Sequence, residues 1–396
     1  MIAVLLAVLP LIQKPAAVRD DPALVEALRA LPAARDVLDQ AEAHRAQVLF
    51  ATVETDAKGR PVLARRGFRV DAEYFYPAST IKFLAAIAAL EDLNERRLKD
   101  ARLTEDTALV FHPLFAGEGI EDADVTHLAN GKITLRQEIR KLFLVSDNAA
   151  FNRLYEYTGQ DGLAQSIERA GLSTARIVHR LSESRSEEEN RRAPRIDCTF
   201  SATDRVTIPE RTSKLKITDS RAPGVQVGTS YVEGTRTVAG PMSFARKNSI
   251  QLVELQDALA KLVNPDLLLD GEPYAITPAQ REFLLAAAAA FPGDSRDPRY
   301  PRAEYPDEWG KFLLPGLEKV APKSAWRIAN KIGRAYGFSV ENAWVVHLPS
   351  ERGMFVTATI YTNANGVLND GKYEYEAVAD PFLAAIGEVV GRELAR

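Results

Sequence analysis

The stretch STIKFLAAIAALEDL, residues 79–93, is apolar on nearly every face of the helix that its composition predicts. A helix of this kind has to be enclosed by protein on all sides. The chain has 396 residues, of which 46% are hydrophobic, and this is enough to build a substantial core around such a helix. We therefore expect a globular fold in which Ser79 and Lys82, at the start of the helix, lie in the interior.

Strand patterns are predicted near both ends of the chain. A helical segment with two proline interruptions precedes two strands around Asp56–Gly59, which together indicate a β-hairpin. Near the C-terminus the segments AWRIANKIG, SVENAWVVHLP and MFVTATIYTN alternate as strands do, and a final helix follows them. Both ends of the chain therefore indicate an α/β structure.

Helix dominates the predicted middle of the chain, from about residue 79 to 182. Thr134 and Gln137 fit a capping box at the start of one of these helices. Residues of about 194–240 are instead rich in Thr, Val and Ile in short runs, which predicts a β-rich insertion. Two helical patterns and a proline-rich surface loop follow it.

Charge and composition exclude several classes of function. The net charge is −4 and the charges are interspersed, so no basic stripe for nucleic acid and no polybasic membrane patch is present. The five histidines have no metal-ligand spacing, and the lone Cys198 permits no disulfide framework and is expected to be a small buried residue. We expect a small-molecule or peptide-like amide substrate, and neither a metal nor an organic cofactor.

The first residues, MIAVLLAVLPLI, form an apolar segment that is too short to span a bilayer. It is typical of a secretory signal, although the usual basic start is missing, and a short membrane-proximal anchor is the alternative. We expect residues 1–18 to be the signal and the mature protein to be periplasmic or extracellular, without a stable membrane span. The sequence does not indicate an oligomeric state.

Three short motifs could carry chemistry. Ser79 and Lys82 stand three residues apart at a buried helix start, where a desolvated amine can act as a base on a hydroxyl; a helix-capping serine is the simpler alternative. Ser146, Asp147 and Asn148 lie at a turn between two helices, where ordinary N-capping also explains them. Lys331, Ile332 and Gly333 lie in a strand pattern, and an edge-strand lysine with a bulge glycine is the alternative.

Taken together and in this order, the motifs resemble the S-x-x-K, S-D-N and K-T-G elements of class A β-lactamases and penicillin-binding proteins. The resemblance extends from about residue 40 to the C-terminus and is weakest in the β-rich insertion. It implies an α/β fold with an antiparallel sheet flanked by helices and an inserted, mostly helical subdomain. The division expected is an α/β subdomain of residues 20–78 and 320–396 and a helical subdomain of residues 79–319.

The resemblance also implies a role for each motif residue. Ser79 would be the acylated nucleophile, Lys82 would help to remove its proton, and Ser146 would relay a proton to the leaving nitrogen. Lys331 would supply positive potential for a substrate carboxylate. In a binding role, Asn148 would hold a substrate amide or Lys82, while Gly333 would allow close approach of the substrate backbone. The backbone N–H groups of Ser79 and Arg334 would form the oxyanion hole. Asp147 is expected to be structural.

Two departures from the family pattern affect the expected substrate and turnover. Ile332 replaces a Thr or Ser, which removes one donor to a substrate carboxylate, at a cost of about 1.5–3 kcal/mol unless Arg334 or another donor replaces it. No E-x-x-L-N motif follows Ser146. The nearest acidic run contains Glu187, Glu188 and Glu189, which are either weak candidates for the deacylation base or simply a solvated loop.

The sequence therefore predicts a serine hydrolase that transfers an acyl group through Ser79, and three functions remain open. The first is β-lactamase-like hydrolysis of a β-lactam or related amide. The second is a D-alanyl-D-alanine carboxypeptidase or another amidase. The third is a penicillin-binding or sensor protein that is acylated without turnover, which Ile332 and the missing glutamate motif would favour.

Overall fold

A computed structural model describes residues 18–396 of the chain. The expected signal segment therefore lies almost wholly outside the described residues. The helices are α1 (Pro22–Arg29), α2 (Pro32–Asp39), α3 (Lys82–Arg97), α4 (Leu135–Leu144), α5 (Asn148–Arg169), α6 (Glu187–Arg191), α7 (Leu252–Val263), α8 (Pro278–Ala289), α9 (Leu314–Leu317) and α10 (Asp380–Leu394).

Between residues 18 and 396 there are fifteen strands, and the longest of them lie toward the two ends of the chain. They are β1 (Gln47–Thr55), β2 (Pro61–Phe68), β3 (Ala108–Phe111), β4 (Arg192–Ala193), β5 (Ile196–Thr199), β6 (Arg205–Ile208), β7 (Arg211–Thr212), β8 (Gln226–Val227), β9 (Ser230–Glu233), β10 (Arg236–Ala239), β11 (Met242–Ser243), β12 (Trp326–Ala335), β13 (Phe338–His347), β14 (Arg352–Tyr361) and β15 (Val367–Leu368).

A five-stranded antiparallel sheet brings the two ends of the chain together, in the order β12-β13-β14-β1-β2. The N-terminal hairpin joins the C-terminal strands through β1 and β14, where Gln47 lies opposite Thr359. One face packs on α1, α2 and α10 in a single apolar cluster, and the other face packs on the helical part of the chain. The predicted α/β fold with an antiparallel sheet flanked by helices is confirmed.

Helix α3 lies at the centre of the larger core cluster, as its apolar sequence predicts. Every residue from Lys82 to Glu91 is buried. Helix α5 packs along α3, and Gly159, at φ 73°, marks a kink within α5. Because the start of α3 is enclosed, Lys82 has to satisfy its ammonium group with protein atoms.

The N-terminal segment follows the prediction with one refinement. The two proline interruptions separate two helices, α1 and α2, because each proline occupies the first turn of its own helix. The β1–β2 turn is held by Asp56, whose carboxylate accepts hydrogen bonds from the backbone N–H groups of Lys58 and Arg60. The adjacent Gly59 has φ 78°, a conformation that favours glycine.

The capping box predicted at the start of α4 forms only in part. Thr134 Oγ1 accepts a hydrogen bond from the backbone N–H of Gln137 at 3.2 Å. The side chain of Gln137 does not return to the backbone of Thr134, because its amide donates to Asp297 at 3.0 Å instead. The long proline-rich loop therefore competes successfully for this side chain.

Eight short strands, β4 to β11, lie between residues 192 and 243, in the region with the β-rich sequence. Strands β9 and β10 form a hairpin, and β15, from beyond the central sheet, pairs in parallel with β9. This small sheet ties the middle of the chain to the segment that precedes α10. The division into an α/β and a helical subdomain stays a prediction.

Two further features concern the described residues. Cys198, on β5, is 1% exposed, and burial raises the pKa of its thiol to about 11. Between residues 18 and 396, none of the helices has the length and apolar character that crossing a membrane requires.

Candidate active site

A cleft of about 1000 Å³ opens where the start of α3, the edge strand β12 and the start of α5 meet. Ser79 lines this cleft in a short 3₁₀ turn, Ala78–Ile81, that leads directly into α3. Ala78 has φ 48°, which is unusual for a residue other than glycine. The backbone therefore bends sharply just before Ser79, which is half-buried at the cleft while Ala78 and Thr80 are buried.

Lys82 is fully buried beneath Ser79. Its Nζ donates hydrogen bonds to Asn148 Oδ1 at 2.7 Å, to the carbonyl of Asp147 at 3.2 Å and to Ser146 Oγ at 3.4 Å, as well as to the carbonyl of Ser146. Burial lowers the pKa of Lys82 to about 7, and the charge of Asp147 only partly opposes this shift. The amine is therefore substantially neutral near neutral pH.

Lys331, on strand β12, contacts the same Ser146 hydroxyl as Lys82 does. Its Nζ donates to Ser146 Oγ at 2.8 Å and to the carbonyl of Ile332 at 2.8 Å. Burial, followed by the charge of Lys82, lowers the pKa of Lys331 well below its usual range, while Glu341 opposes the shift. The Ser146 hydroxyl thus lies between two buried amines, at a residue whose φ is 59°.

Asn148 and Asp147 begin helix α5 in different ways. Asp147 caps the helix, because its carboxylate accepts a hydrogen bond from the N–H of Ala150 at 2.9 Å. Asn148 faces the cleft, where its Oδ1 accepts from Lys82 and its Nδ2 donates to Ser182 Oγ at 2.8 Å. The amide of Asn148 therefore connects Lys82 with the loop that carries Ser182.

Gly333 allows β12 to lie against the turn that carries Ser79. A Cβ atom at this position would be 2.5 Å from the carbonyl oxygen of Pro77 and 2.8 Å from the backbone nitrogen of Ser79. Both of these are backbone atoms that cannot move independently of the turn. Glycine is consequently required here for close approach, whereas the sequence alone left a bulge as the alternative.

The hairpin of β12 and β13 fixes which backbone groups of β12 face the cleft. Tyr336 and Gly337, at φ 55° and 83°, form a two-residue turn, so Ala335 and Phe338 are the closing hydrogen-bonded pair. Hydrogen-bonded and non-hydrogen-bonded pairs alternate along an antiparallel ladder. The residue before Ala335, which is Arg334, therefore directs its N–H and carbonyl away from β13. Since β12 is an edge strand, the N–H of Arg334 points out of the sheet at its free edge.

The side chains of Ile332 and Arg334 lie on the other face of the sheet, away from Lys331. Ile332 is 7% exposed and belongs to the core cluster around α10. The guanidinium of Arg334 pairs with Asp380, donates to Ser339 Oγ at 3.1 Å and stacks on Phe312. Neither side chain replaces the hydroxyl that Ile332 removes from the motif, and what Arg334 offers to the cleft is its backbone N–H.

The three glutamates considered for deacylation have other partners. Glu187 pairs with Arg246 and Arg191, and hydrogen bonding to Arg246 is the main reason that its pKa is lowered. The side chain of Glu188 is 78% exposed. Glu189 forms a capping box with Ser186 at the start of α6. Of the three, Glu187 lines the cleft, and none of them bonds to Ser79 or Lys82.

Some residues that line the cleft belong to none of the three motifs and were not predicted. Ser182 and Glu183 face the cleft from the loop after α5, where Glu183 accepts a hydrogen bond from Asn152 at 2.7 Å. Lys247 and Tyr336 line the cleft beside the β12–β13 turn. Asn152 follows Asn148 by four residues, on the same face of the helix, and this spacing is the one sequence signal that could have pointed to this loop.

Comparisons with known proteins bear on the fold of the chain. Residues 34–219 match the model of the beta-lactamase enzyme family. No curated protein matches the chain significantly in sequence. Among solved structures, a beta lactamase from Xanthomonas campestris shares 19% identity at a TM-score of 0.51, with 94% of this chain and 99% of that chain covered.

Two further solved structures represent both branches of the family that the motifs resemble. A class A beta-lactamase from Mycobacterium abscessus is 16% identical at a TM-score of 0.50, with 92% of this chain and all of that chain covered. A mutant of PBP-A, solved as its acyl-enzyme complex with penicillin G, is 14% identical at a TM-score of 0.51, with 95% and 98% covered. The chain therefore has the fold of class A β-lactamases and penicillin-binding proteins, and its residues 34–219 are similar to the beta-lactamase enzyme family.

Proposed function

We propose that the protein is a β-lactamase-like serine hydrolase that is acylated at Ser79 by a β-lactam or a related amide. The observation that carries the proposal is the hydroxyl of Ser146, which lies within hydrogen-bond distance of both Lys82 Nζ, at 3.4 Å, and Lys331 Nζ, at 2.8 Å. A hydroxyl between two amines can pass a proton in either direction. This arrangement adjoins the sharp turn that exposes Ser79.

Lys82 is the proposed base for acylation. In its neutral form it removes the proton of Ser79 as Oγ attacks the carbonyl carbon of the amide. The Ser146 hydroxyl then donates its proton to the leaving nitrogen as the C–N bond breaks, and it takes a proton back from Lys331 or Lys82. A pKa of about 7 for Lys82 supports this role, because a base is most effective when its pKa lies near the operating pH.

The proposed oxyanion hole consists of the backbone N–H groups of Ser79 and Arg334. The Arg334 N–H faces outward at the free edge of β12, and the close packing of Gly333 on the Ser79 turn keeps the two groups near each other. Two donors fixed by backbone structure need little reorganisation as negative charge develops on the carbonyl oxygen. Lys331 is the proposed partner for a carboxylate on the leaving-group side of the substrate.

A second candidate function, a penicillin-binding protein that keeps its acyl group, is favoured by Ser182. The group that hydrogen bonds to Asn148 on the side away from Lys82 is the hydroxyl of Ser182 at 2.8 Å, not a carboxylate. Within residues 18–396, the hydrogen bonds of Lys82 go to carbonyl, hydroxyl and amide oxygens and not to a carboxylate. A hydroxyl is too weak a base to activate water, so we expect slow hydrolysis of the acyl-enzyme.

An amidase or a D-alanyl-D-alanine carboxypeptidase would use the same acylation chemistry on a peptide amide.

We further propose that the protein works outside the cytoplasm, which the signal-like segment at residues 1–12 supports. The proposed location and the proposed acylation chemistry are independent, since the chemistry requires only the residues of the cleft.

Intact-protein mass spectrometry, sampled from seconds to hours, tests the proposed function. The protein is mixed with benzylpenicillin, a cephalosporin and an acylated D-alanyl-D-alanine peptide, and Ser79→Ala serves as the control. An adduct on the wild type alone that clears as the drug is consumed supports hydrolase turnover, whereas one that persists supports the penicillin-binding alternative. If the wild type forms no adduct and releases no product from any of the three, the proposal is wrong.

A further inference from the structure

Lys247 lines the same cleft as Ser79, and among residues 18–396 its ammonium group has no hydrogen-bond or ion-pair partner. Its Nζ lies 5.7 Å from the ring centroid of Phe244 and 5.4 Å from that of Tyr336. The two rings contact each other edge to face at 5.3 Å and hold the lysine stem between the β12–β13 turn and the segment before α7. Burial alone lowers the pKa of Lys247, with no carboxylate opposing the shift.

The other charged side chains around Lys247 are already paired or lie apart from it. Arg246 is bonded to Glu187 and Asp219, and Arg185 to Glu183 and Glu118. The remaining acid of the cleft wall, Glu233, is exposed on β9 and forms no ion pair with Lys247. A partly desolvated ammonium flanked by aromatic rings is a place where an anion binds favourably.

The position of Ser146 shows which part of a substrate would reach Lys247. Ser146 and Lys331 lie on one side of Ser79, and under the proposed mechanism they face the leaving nitrogen. The acyl part of the substrate must then extend the other way along β12, toward Tyr336. Tyr336, just after β12, follows Lys331 by five positions, which is roughly 16 Å at about 3.3 Å per residue. Under the proposed mechanism, Lys331 and Lys247 would therefore lie toward opposite ends of the substrate.

We infer that Lys247 binds a carboxylate on the acyl side of the substrate, so that the protein prefers amides with an anionic group on each side of the scissile bond. The inference rests on the proposed function for the direction in which the substrate lies. Lys331 receives the carboxylate on the leaving-group side, and Lys247 receives the one on the acyl side. Uncharged acyl groups leave Lys247 without a partner.

Carbenicillin and benzylpenicillin form a matched pair of probes, because they differ by one carboxylate on the acyl side. The second-order rate of Ser79 acylation is measured for both, in the wild type, in Lys247→Met and in Lys132→Met. Lys132 is an exposed lysine outside the cleft wall and serves as the control. We expect the wild type and the control to prefer carbenicillin by about tenfold or more, and the ratio to fall to about one in Lys247→Met.

Equilibrium binding separates a failure of this inference from a failure of the proposed function. Both penicillins are titrated into Ser79→Ala and into Ser79→Ala combined with Lys247→Met, so that no acylation is needed. Tighter binding of carbenicillin that disappears with Lys247 supports the anion site, even if neither drug acylates the wild type and the proposed function fails. Equal binding of the two drugs, or a preference that survives Lys247→Met, overturns the inference whatever the acylation rates are.

Discussion

Lys331 Nζ donates a hydrogen bond of 2.8 Å to Ser146 Oγ, across 185 residues of sequence. The bond connects the edge strand of the sheet with the turn between α4 and α5. Lys82 approaches the same hydroxyl from inside the helical part. Removing any one of these three side chains disturbs the contacts of the other two.

Ser146→Ala tests the proposed proton relay. We expect acylation by benzylpenicillin to fall by about 10²–10⁴-fold, because the leaving nitrogen loses its proton donor. Stopped-flow measurement of adduct formation gives the rate. Ser146→Gly is the matched control, because it removes the same hydroxyl and relieves any strain at φ 59°. If both variants lose the same fraction of the acylation rate, the missing hydroxyl is the cause. If the rate recovers in Ser146→Gly alone, the loss in Ser146→Ala comes from backbone strain.

The rate of acylation should depend on pH through Lys82. Its pKa is lowered to about 7 by burial, and only the neutral amine can accept the proton of Ser79. The rate should therefore rise about tenfold per pH unit below pH 7 and level off above it. Acylation measured from pH 5 to 9 checks this, and the residual rate of Lys82→Ala should lack the rise. A midpoint near the ordinary pKa of lysine would contradict the proposed role.

Gly333→Ala tests the contact between β12 and the Ser79 turn. The added methyl would press on the carbonyl of Pro77 and the backbone nitrogen of Ser79. We expect a loss of stability of about 1–3 kcal/mol from overpacking and at least a tenfold slower acylation, because the nucleophile is displaced. Urea unfolding and acylation rates provide the two measurements.

Gly119→Ala is the control for that variant, since a Cβ at Gly119 meets no atom within 4 Å. It should change neither the acylation rate nor the stability by a comparable amount. If Gly333→Ala keeps both its stability and its acylation rate, the close approach of β12 to the turn is not what positions Ser79.

The periodicity of the sequence was sufficient to predict the main elements of the fold. Helix α3 and strands β12 to β14 were predicted because burial imposes a local pattern on each of them. The pairing of β1 with β14 joins segments about 300 residues apart, and it was not predicted, because the family resemblance implied only that the two ends of the chain form one α/β subdomain. The predicted capping role of the Gln137 side chain was wrong, because a distant loop supplies Asp297 as its hydrogen-bond partner.

The sequence was sufficient to predict those residues of the candidate site that lie close together on one helix or one strand. Ser79 and Lys82 share a helix start, and Lys331 and Gly333 share a strand. Ser182 and Lys247 were missed because their positions depend on irregular loops, the first on a backbone with φ 56° and the second on aromatic packing. The orientation of the side chains of Ile332 and Arg334 to the other face of the sheet also required the strand register.

Ser182→Glu should accelerate hydrolysis of the acyl-enzyme. The Ser182 hydroxyl accepts from Asn148 Nδ2, and Asn148 in turn accepts from Lys82, so a carboxylate here would be close enough to activate water near the ester. General-base catalysis predicts release of the penicilloyl group that is about 10²-fold faster or more. Mass spectrometry of adduct decay measures it. Ser182→Gln, of equal size and without charge, should decay like the wild type; equally fast decay in both variants would indicate a loosened loop and not a base.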